Sequence, residues 1–196
     1  MKYNRSRLDR AKRADLTRKG ATTVELLIVR HAMAEERDSE KWPDDRDRPV
    51  PPESARRFSR IARGLARLVP EVDAVWSSPL RRAWQTAEIL EKEAGWPAPK
   101  ELPVLEPGNT STGITAILRR ESSGRMVLVG HEPMLSELIT HLTAGPGDHV
   151  ILELKKGGAA LLSFPAGPKA GEGVLLWLLP PRVVLGERKK RNSKRR

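Results

Sequence analysis

Val24-Glu25-Leu26-Leu27-Ile28-Val29-Arg30-His31 is a short, β-branched, apolar run that stops abruptly on two polar residues. A run of this kind reads as a buried strand. Two more apolar runs end on chemistry. Arg125-Met126-Val127-Leu128-Val129 leads into Gly130-His131-Glu132-Pro133, and the strand expected over Val72 to Trp76 leads into Ser77-Ser78-Pro79-Leu80-Arg81-Arg82-Ala83-Trp84-Gln85-Thr86. Helical patterns lie between them. Pro52 to Val69 carries apolar residues at helical spacing (Phe58, Ile61, Ala62, Leu65, Leu68), with Pro at its entry and Pro70 closing it. Ser78-Pro79 opens a helix through Ala94 that Gly95 and Pro97 end. Further helices are expected over Thr112–Glu121 and Pro133–Leu142, and a brief strand over Leu102–Leu105. Residues 33–51 read as a polar loop, Gly157-Gly158 as a turn, and Ala159–Phe164 with Val174–Leu179 as an antiparallel strand pair. Strand–helix alternation of this kind implies an α/β fold, a sheet covered by helices on both faces.

The chain has 196 residues, enough for one domain with a full core. Its mean hydropathy of −0.50 fits a soluble protein, and no apolar run approaches the roughly 20 residues needed to span a bilayer. Residues 1–20 are charged throughout and lack the apolar stretch of a secretory signal, so a cytoplasmic location is the expectation. The absence of cysteine excludes disulfides, thiolate metal sites and a Cys nucleophile. The net charge of +11 is unevenly spread. Residues 1–20 carry eight Lys/Arg against two Asp, and residues 187–196 carry seven against one Glu, which leaves 21 basic and 22 acidic residues in 21–186. The reading is a near-neutral domain over 21–186, between a flexible basic extension and a disordered basic tail. Nucleic-acid contact through those tails is the weaker interpretation of their charge.

In open α/β sheets, ligands sit at the carboxyl ends of the strands. His31 and His131, 100 positions apart, would then reach the same rim. Each alone reads as a structural histidine; two at equivalent strand ends favour a site. Arg82 lies in the first turn of a helix, where free N–H groups already favour anions and a guanidinium can fork onto phosphate oxygens. Arg81 beside it reads as a surface residue in a salt bridge. Two histidines and two arginines form a set suited to holding a phosphoryl group and attacking it. Trp76, Trp84 and Trp177 sit in apolar patterns and read as packing residues, Trp42 as loop packing or pocket lining, and His141 and His149 as structural or solvated.

These motifs, in this order, resemble the histidine phosphatase superfamily, and within it the phosphohistidine phosphatase (SixA-type) group. The marks are Arg30-His31, the Ser78-Pro79…Arg82-Ala83-Trp84-Gln85-Thr86 segment and Gly130-His131-Glu132-Pro133. Asp47-Arg48-Pro49 is similar to that group's Asp-Arg-Pro-Leu-Thr loop, and Leu175 to Pro181 to its closing strand, so the resemblance spans about residues 24–182. It implies a phosphoglycerate mutase-like three-layer αβα sandwich with a mostly parallel sheet. It also implies that His31 is the nucleophile and that Arg30, Arg82 and His131 surround the phosphoryl oxygens. Arg48 supplements the anion site or makes a loop salt bridge to Asp44, Asp45 or Asp47. No cofactor and no metal are implied.

Three departures from the family pattern stand out. Ala32 follows the histidine where Gly is usual, tolerable while its φ stays negative. Val50-Pro51-Pro52 stands in place of Leu-Thr. No side chain stands out as a general acid: Glu106 lies in the right region, in a Leu-x-Pro context, and is carried with Arg48 as a substrate-binding candidate, whereas Glu35 and Glu36 read as solvated loop. A phosphoester leaving as alkoxide benefits from a proton donor, whereas phosphohistidine has a more labile bond and a better leaving group. The 48 residues between Arg82 and His131 leave no room for a cap. The expected partner is therefore a protein bearing phosphohistidine, with small phosphate esters as the alternative. A monomer without membrane contact is expected.

Overall fold

Six strands form one sheet in the order β3-β2-β4-β1-β5-β6: β1 (Val24–Arg30), β2 (Ala74–Ser77), β3 (Lys100–Glu101), β4 (Arg125–Gly130), β5 (Ala159–Phe164) and β6 (Val174–Leu179). The structure is a computed structural model and describes residues 23–120, 124–146 and 150–187. The expectations for residues 1–20, Glu121, His149 and 188–196 lie outside the described residues. β1, β2, β3 and β4 run parallel, and β5 and β6 return antiparallel. The strand pairing of β1 with β4 sets Glu25 opposite Arg125 and Arg30 opposite Gly130. Glu25, the polar residue inside an apolar strand, is satisfied by that register: Arg125 Nε donates to its Oε2 at 2.5 Å.

Because strand side chains alternate faces, the apolar run of β1 feeds two cores. Leu26 and Ile28 pack toward α3 (Ser111–Arg120) and α4 (Met134–Ala144). Leu27 and Val29 pack toward α1 (Pro52–Leu68) and α2 (Arg81–Ala94), with the short α5 (Pro181–Val184) closing that layer against α1. All four β1 residues are fully buried, each worth roughly 1.5–3 kcal/mol over exposure. The result is the three-layer α/β/α sandwich, with β1 and β4 at its centre.

Three local expectations are corrected. The strand expected over Leu102–Leu105 is a 3-10 turn over Pro103–Leu105, and the paired residues are Lys100 and Glu101. Leu102 donates the last ladder bond to Ser77 O at 2.8 Å; Pro103 has no N–H to continue it. The second helix begins at Arg81 rather than at Ser78-Pro79. Trp84 lies half-exposed on that helix, its Nε1 donating to Glu88 Oε1 at 3.0 Å, while Trp96 is the tryptophan buried in the core. Trp76 and Trp177 pack against the core clusters as expected. Glu187, which the sequence assigns to the tail, is gripped by both terminal nitrogens of Arg57 at 2.9 Å each.

Candidate active site

Backbone pairing alone brings three chain segments to one rim. His31 N–H donates to Gly130 O at 3.1 Å, and Ser78 N–H donates to Val129 O at 3.0 Å. The ends of β1, β4 and β2 therefore stand side by side, and the His31 and His131 rings lie 5.0 Å apart, centre to centre. A buried hydroxyl locks α2 onto this rim. Thr86 Oγ1 donates to Arg82 O at 2.6 Å and accepts from Ala32 N–H at 2.9 Å. Gln85 Oε1 accepts from Val50 N–H at 2.8 Å. The Gln-Thr pair is thus a tie between α2, the exit of β1 and the entry to α1. Ala32 occupies its position without strain, since no described non-glycine residue has positive φ.

His31 Nδ1 lies 2.6 Å from Ala32 O. A carbonyl only accepts, so Nδ1 carries the proton and Nε2 keeps its lone pair. Burial pushes the imidazole down from 6.5 to about 3, against the opposing Ala32 bond and with help from Arg82, Arg30 and Lys156. His131 is driven down to about 2, first by burial and then by the charges of His31, Arg82 and Arg30. Its Nε2 lies 2.9 Å from Ser78 Oγ, and its Nδ1 is buried with no hydrogen-bond partner.

Both rings are neutral in the folded protein far below the pH at which they protonate in the unfolded chain. The unfolded state therefore binds more protons in acid, and their contribution to stability is complete above about pH 6.5 and is lost as the pH falls toward 3. At pH 5 each ring costs on the order of 2 kcal/mol relative to pH 7.5, from 1.36 kcal/mol per unit. Urea midpoints measured from pH 8 to pH 4.5 should fall steeply below pH 6.5; a flat profile would contradict the burial of these two rings.

Three arginines are held from behind. Arg30 Nη1 donates to Leu154 O at 2.8 Å. Arg82 donates from Nη1 to Asp45 O at 2.8 Å, and its Nη2 lies 3.1 Å from Asp45 Oδ2. Arg48 donates from Nε to Asp45 Oδ1 and from Nη1 to Glu35 O, both at 2.8 Å. Asp45 is the shared brace. Burial alone would raise its pKa, but the Arg48 hydrogen bond and the charges of Arg82, Arg48 and Arg37 hold it below the usual carboxylate value. The Nε atoms of Arg30 and Arg82 are buried and have no hydrogen-bond partner. Together with His131 Nδ1 they leave three buried polar positions unsatisfied, an unusual grouping. The residues that carry them line one cleft of about 510 Å³, with His31 in its wall. Uncompensated donors and positive charge in a low-dielectric cleft attract an anion.

The structure gathers His31, Arg30, Arg82 and His131 at this cleft and adds Arg48, which makes its loop salt bridge and also lines the wall. Glu106 is elsewhere: its carboxylate is paired with Arg46, and the neighbouring Pro107 lines the cleft instead. Trp42 is also absent from the cleft wall, whereas Glu35, Glu36 and Glu132 belong to it. Glu132 is occupied, accepting from Ser136 Oγ at 2.7 Å and Leu154 N–H at 3.2 Å. Lys156 is a cleft residue that the sequence does not mark, Asp45 is one of the three acidic partners it offers Arg48, and Ser78 and Thr86 belong to its motif with no role of their own. The segment before Arg48-Pro49 signals an acidic loop, but the 3-10 turn Asp45–Asp47 selects which carboxylate meets Arg48 and Arg82. Among the described residues, no group of three or more His, Asp or Glu side chains is placed to hold a metal ion, and no helix is long and apolar enough to cross a membrane.

A family model for the histidine phosphatase superfamily (branch 1) matches residues 26–106. An uncharacterised protein of Picosynechococcus sp. is 34% identical over 138 residues, 69% of this chain and 82% of that relative. The chain belongs to the histidine phosphatase superfamily. Solved structures agree on the histidine phosphatase fold. The protein histidine phosphatase SixA in complex with tungstate matches with a TM-score of 0.67 at 22% identity, over 82% of this chain and 99% of that one. A phosphoserine phosphatase variant from Entamoeba histolytica, in complex with phosphoserine, matches with a TM-score of 0.58 at 14% identity, over 81% and 98% of the two chains. A mycobacterial glucosyl-3-phosphoglycerate phosphatase gives a TM-score of 0.58 at 16% identity, over 77% and 96%. At these identities the likeness is one of fold. Family and fold together support phosphatase activity.

Proposed function

We propose that the protein is a phosphatase that works through a phosphohistidine on His31 and removes phosphate from phosphohistidine on a partner protein. The observation that carries the reading is the buried, neutral His31 beside three unsatisfied polar atoms of Arg30, Arg82 and His131. His31 Nε2 attacks phosphorus. The bond from phosphorus to the leaving nitrogen breaks, and that nitrogen keeps the electron pair. Arg30, Arg82 and His131 offset the charge gathering on the three equatorial oxygens, a preorganised stabilisation that is usually the largest catalytic contribution. Water then attacks the phosphoenzyme, giving inorganic phosphate and free His31. The charge-offsetting groups are all side chains, so the scheme needs no metal ion.

Two features favour phosphohistidine over an ester. The cleft-lining Glu132 is committed to Ser136 and Leu154, leaving the half-exposed Glu35 and exposed Glu36 as the carboxylates that could donate a proton. An imidazole leaving group needs such a donor less than an alkoxide does. Among the described residues, the short connection from Arg82 to His131 carries no cap subdomain, which suits a side chain protruding from another protein. The second reading, small phosphate esters, draws on Glu35 and Glu36 as donors. We assign the chemistry to residues 21–186, with the basic tails outside it, in a cytoplasmic monomer.

A panel without added metal separates the two readings: a phosphohistidine-bearing protein, p-nitrophenyl phosphate and sugar phosphates. We expect the phosphohistidine substrate to exceed the esters in kcat/KM by at least about 10²-fold, the range a missing acid catalyst costs an alkoxide. Equal or better turnover of a sugar phosphate would overturn the protein-substrate reading.

A further inference from the structure

The turn Lys155-Lys156-Gly157-Gly158 is fastened to the nucleophile's own strand. Gly157 N–H donates to Arg30 O at 3.1 Å and to His31 O at 3.0 Å, and Arg30 N–H donates to Gly158 O at 3.1 Å. Gly157 has φ +73°, a conformation that strains any residue with a Cβ, and at Gly158 a Cβ would meet Lys155 O at 2.8 Å. The turn therefore has one tight conformation, and it fixes where the two lysines project. Lys155 is paired with Glu153 at 2.5 Å. Lys156 lines the same cleft as His31.

Lys156 differs from the other cations there. Arg48 and Arg82 are bound to Asp45, Arg37 lies 3.7 Å from the same carboxylate, and Arg30 is bound to Leu154 O. Lys156 has no hydrogen bond or ion pair among the described residues. It is exposed where Arg82 and Arg48 are buried, which puts its ammonium at the outer part of the cleft. Its pKa is depressed, by burial first and then by Arg30, Arg48, Arg82 and Arg37, so its charge is felt together with the inner set. An unneutralised ammonium above a pocket of guanidinium groups is destabilised until a second anion arrives.

We infer that Lys156 forms an outer anion subsite, which selects substrates whose leaving group carries a carboxylate close to the phosphoryl group. In a phosphoprotein this is an Asp or Glu beside the phosphorylated side chain. The inference rests on the reading that the inner pocket holds the phosphoryl group, and it deepens that reading by naming the leaving group's chemistry.

Binding of two small probes tests it without relying on turnover. 2-Phosphoglycolate carries a carboxylate next to its phosphoryl group, and ethyl phosphate does not. By calorimetry at low salt, the wild-type protein should bind phosphoglycolate about tenfold more tightly than ethyl phosphate, the scale of one charge-assisted contact. Lys156→Gln should bring the ratio below about twofold, whereas Lys156→Arg should keep most of it. Arg67→Gln, which removes an equal charge from the far end of α1, should leave the ratio near the wild-type value. A wild-type ratio near one, or an unchanged ratio in Lys156→Gln, overturns the subsite, as does failure of either probe to bind. Retention of the ratio by a protein that releases no phosphate from phosphohistidine would instead sink the proposed activity and leave the subsite standing.

Discussion

His31→Ala loses turnover by at least about 10⁴-fold in kcat, on the scale seen when a nucleophile is removed from a site whose other parts remain. Rapid quench of the wild-type protein with labelled substrate should trap a phosphoryl group that is stable in base and labile in acid, and the variant should trap none. Label surviving in the variant would move the nucleophile to another residue. His31 makes one side-chain hydrogen bond, to Ala32 O, and His31→Asn, which offers an amide donor in its place and leaves a smaller void than Ala, separates loss of the nucleophile from loss of packing. The same substitution carries a second signature. It removes one of the two rings that protonate only on unfolding, so the variant should lose about half of the acid sensitivity assigned to the pair. Loss of activity together with a shallower pH–stability profile is an outcome that general damage to the fold would not produce.

Arg82→Ala should lower kcat by about 10²–10³-fold, the magnitude of removing a preorganised donor from developing charge. Its consequences extend to a neighbour. Arg82 stands between Asp45 and the cleft, 3.1 Å from one carboxylate oxygen and 2.8 Å from the backbone carbonyl. Without it, the Asp45 carboxylate keeps Arg48 and Arg37 but gains an open line to the phosphoryl position. KM should therefore rise as well, and the double variant Arg82→Ala/Asp45→Asn should recover part of the KM defect while kcat stays low. If Asp45→Asn deepens both defects equally, the carboxylate acts as a simple brace and the proposed repulsion is wrong. Arg82→Lys should fall between wild type and Ala, since it restores charge without the planar fork.

Much of this arrangement is written in the order of residues, and the reason is burial. β1 and β4 are covered on both faces, so Leu26–Val29 and Met126–Val129 are unbroken apolar runs, and the polar residues that follow each run mark the rim. His31, Arg30 and His131 are legible on that ground, and Arg82 because it lies in the first turn of the helix after β2. Residues whose placement depends on turn geometry are not legible. Asp44, Asp45 and Asp47 are equivalent in sequence, and a 3-10 turn decides that Asp45 meets Arg82 and Arg48. Lys155 and Lys156 are adjacent and identical in kind, yet Lys155 pairs with Glu153 while Lys156 enters the cleft. Glu106 shows the reverse error: its position in the chain suggests the site, and Arg46 holds it away from the wall. Leu102–Leu105 has strand-like composition, but the proline within it removes the donor a ladder requires.

The lateral pairing of β1 with β4, Arg30 opposite Gly130, has a bearing on how this protein can change. The gap between the two histidines is set by the spacing of neighbouring strands, about 4.8 Å, and owes nothing to the length of chain that joins them. Residues can be added to the surface connections between positions 31 and 131 without moving either ring. A slip of β1 by a single residue would do the opposite, turning Leu26 and Ile28 toward the wrong layer and carrying His31 off the rim in the same step. Insertion and register error therefore lie at two extremes of tolerance. New walls and lids can be elaborated around this cleft while the two rings keep their spacing, because that spacing is fixed by the register of β1 against β4 and not by the connections.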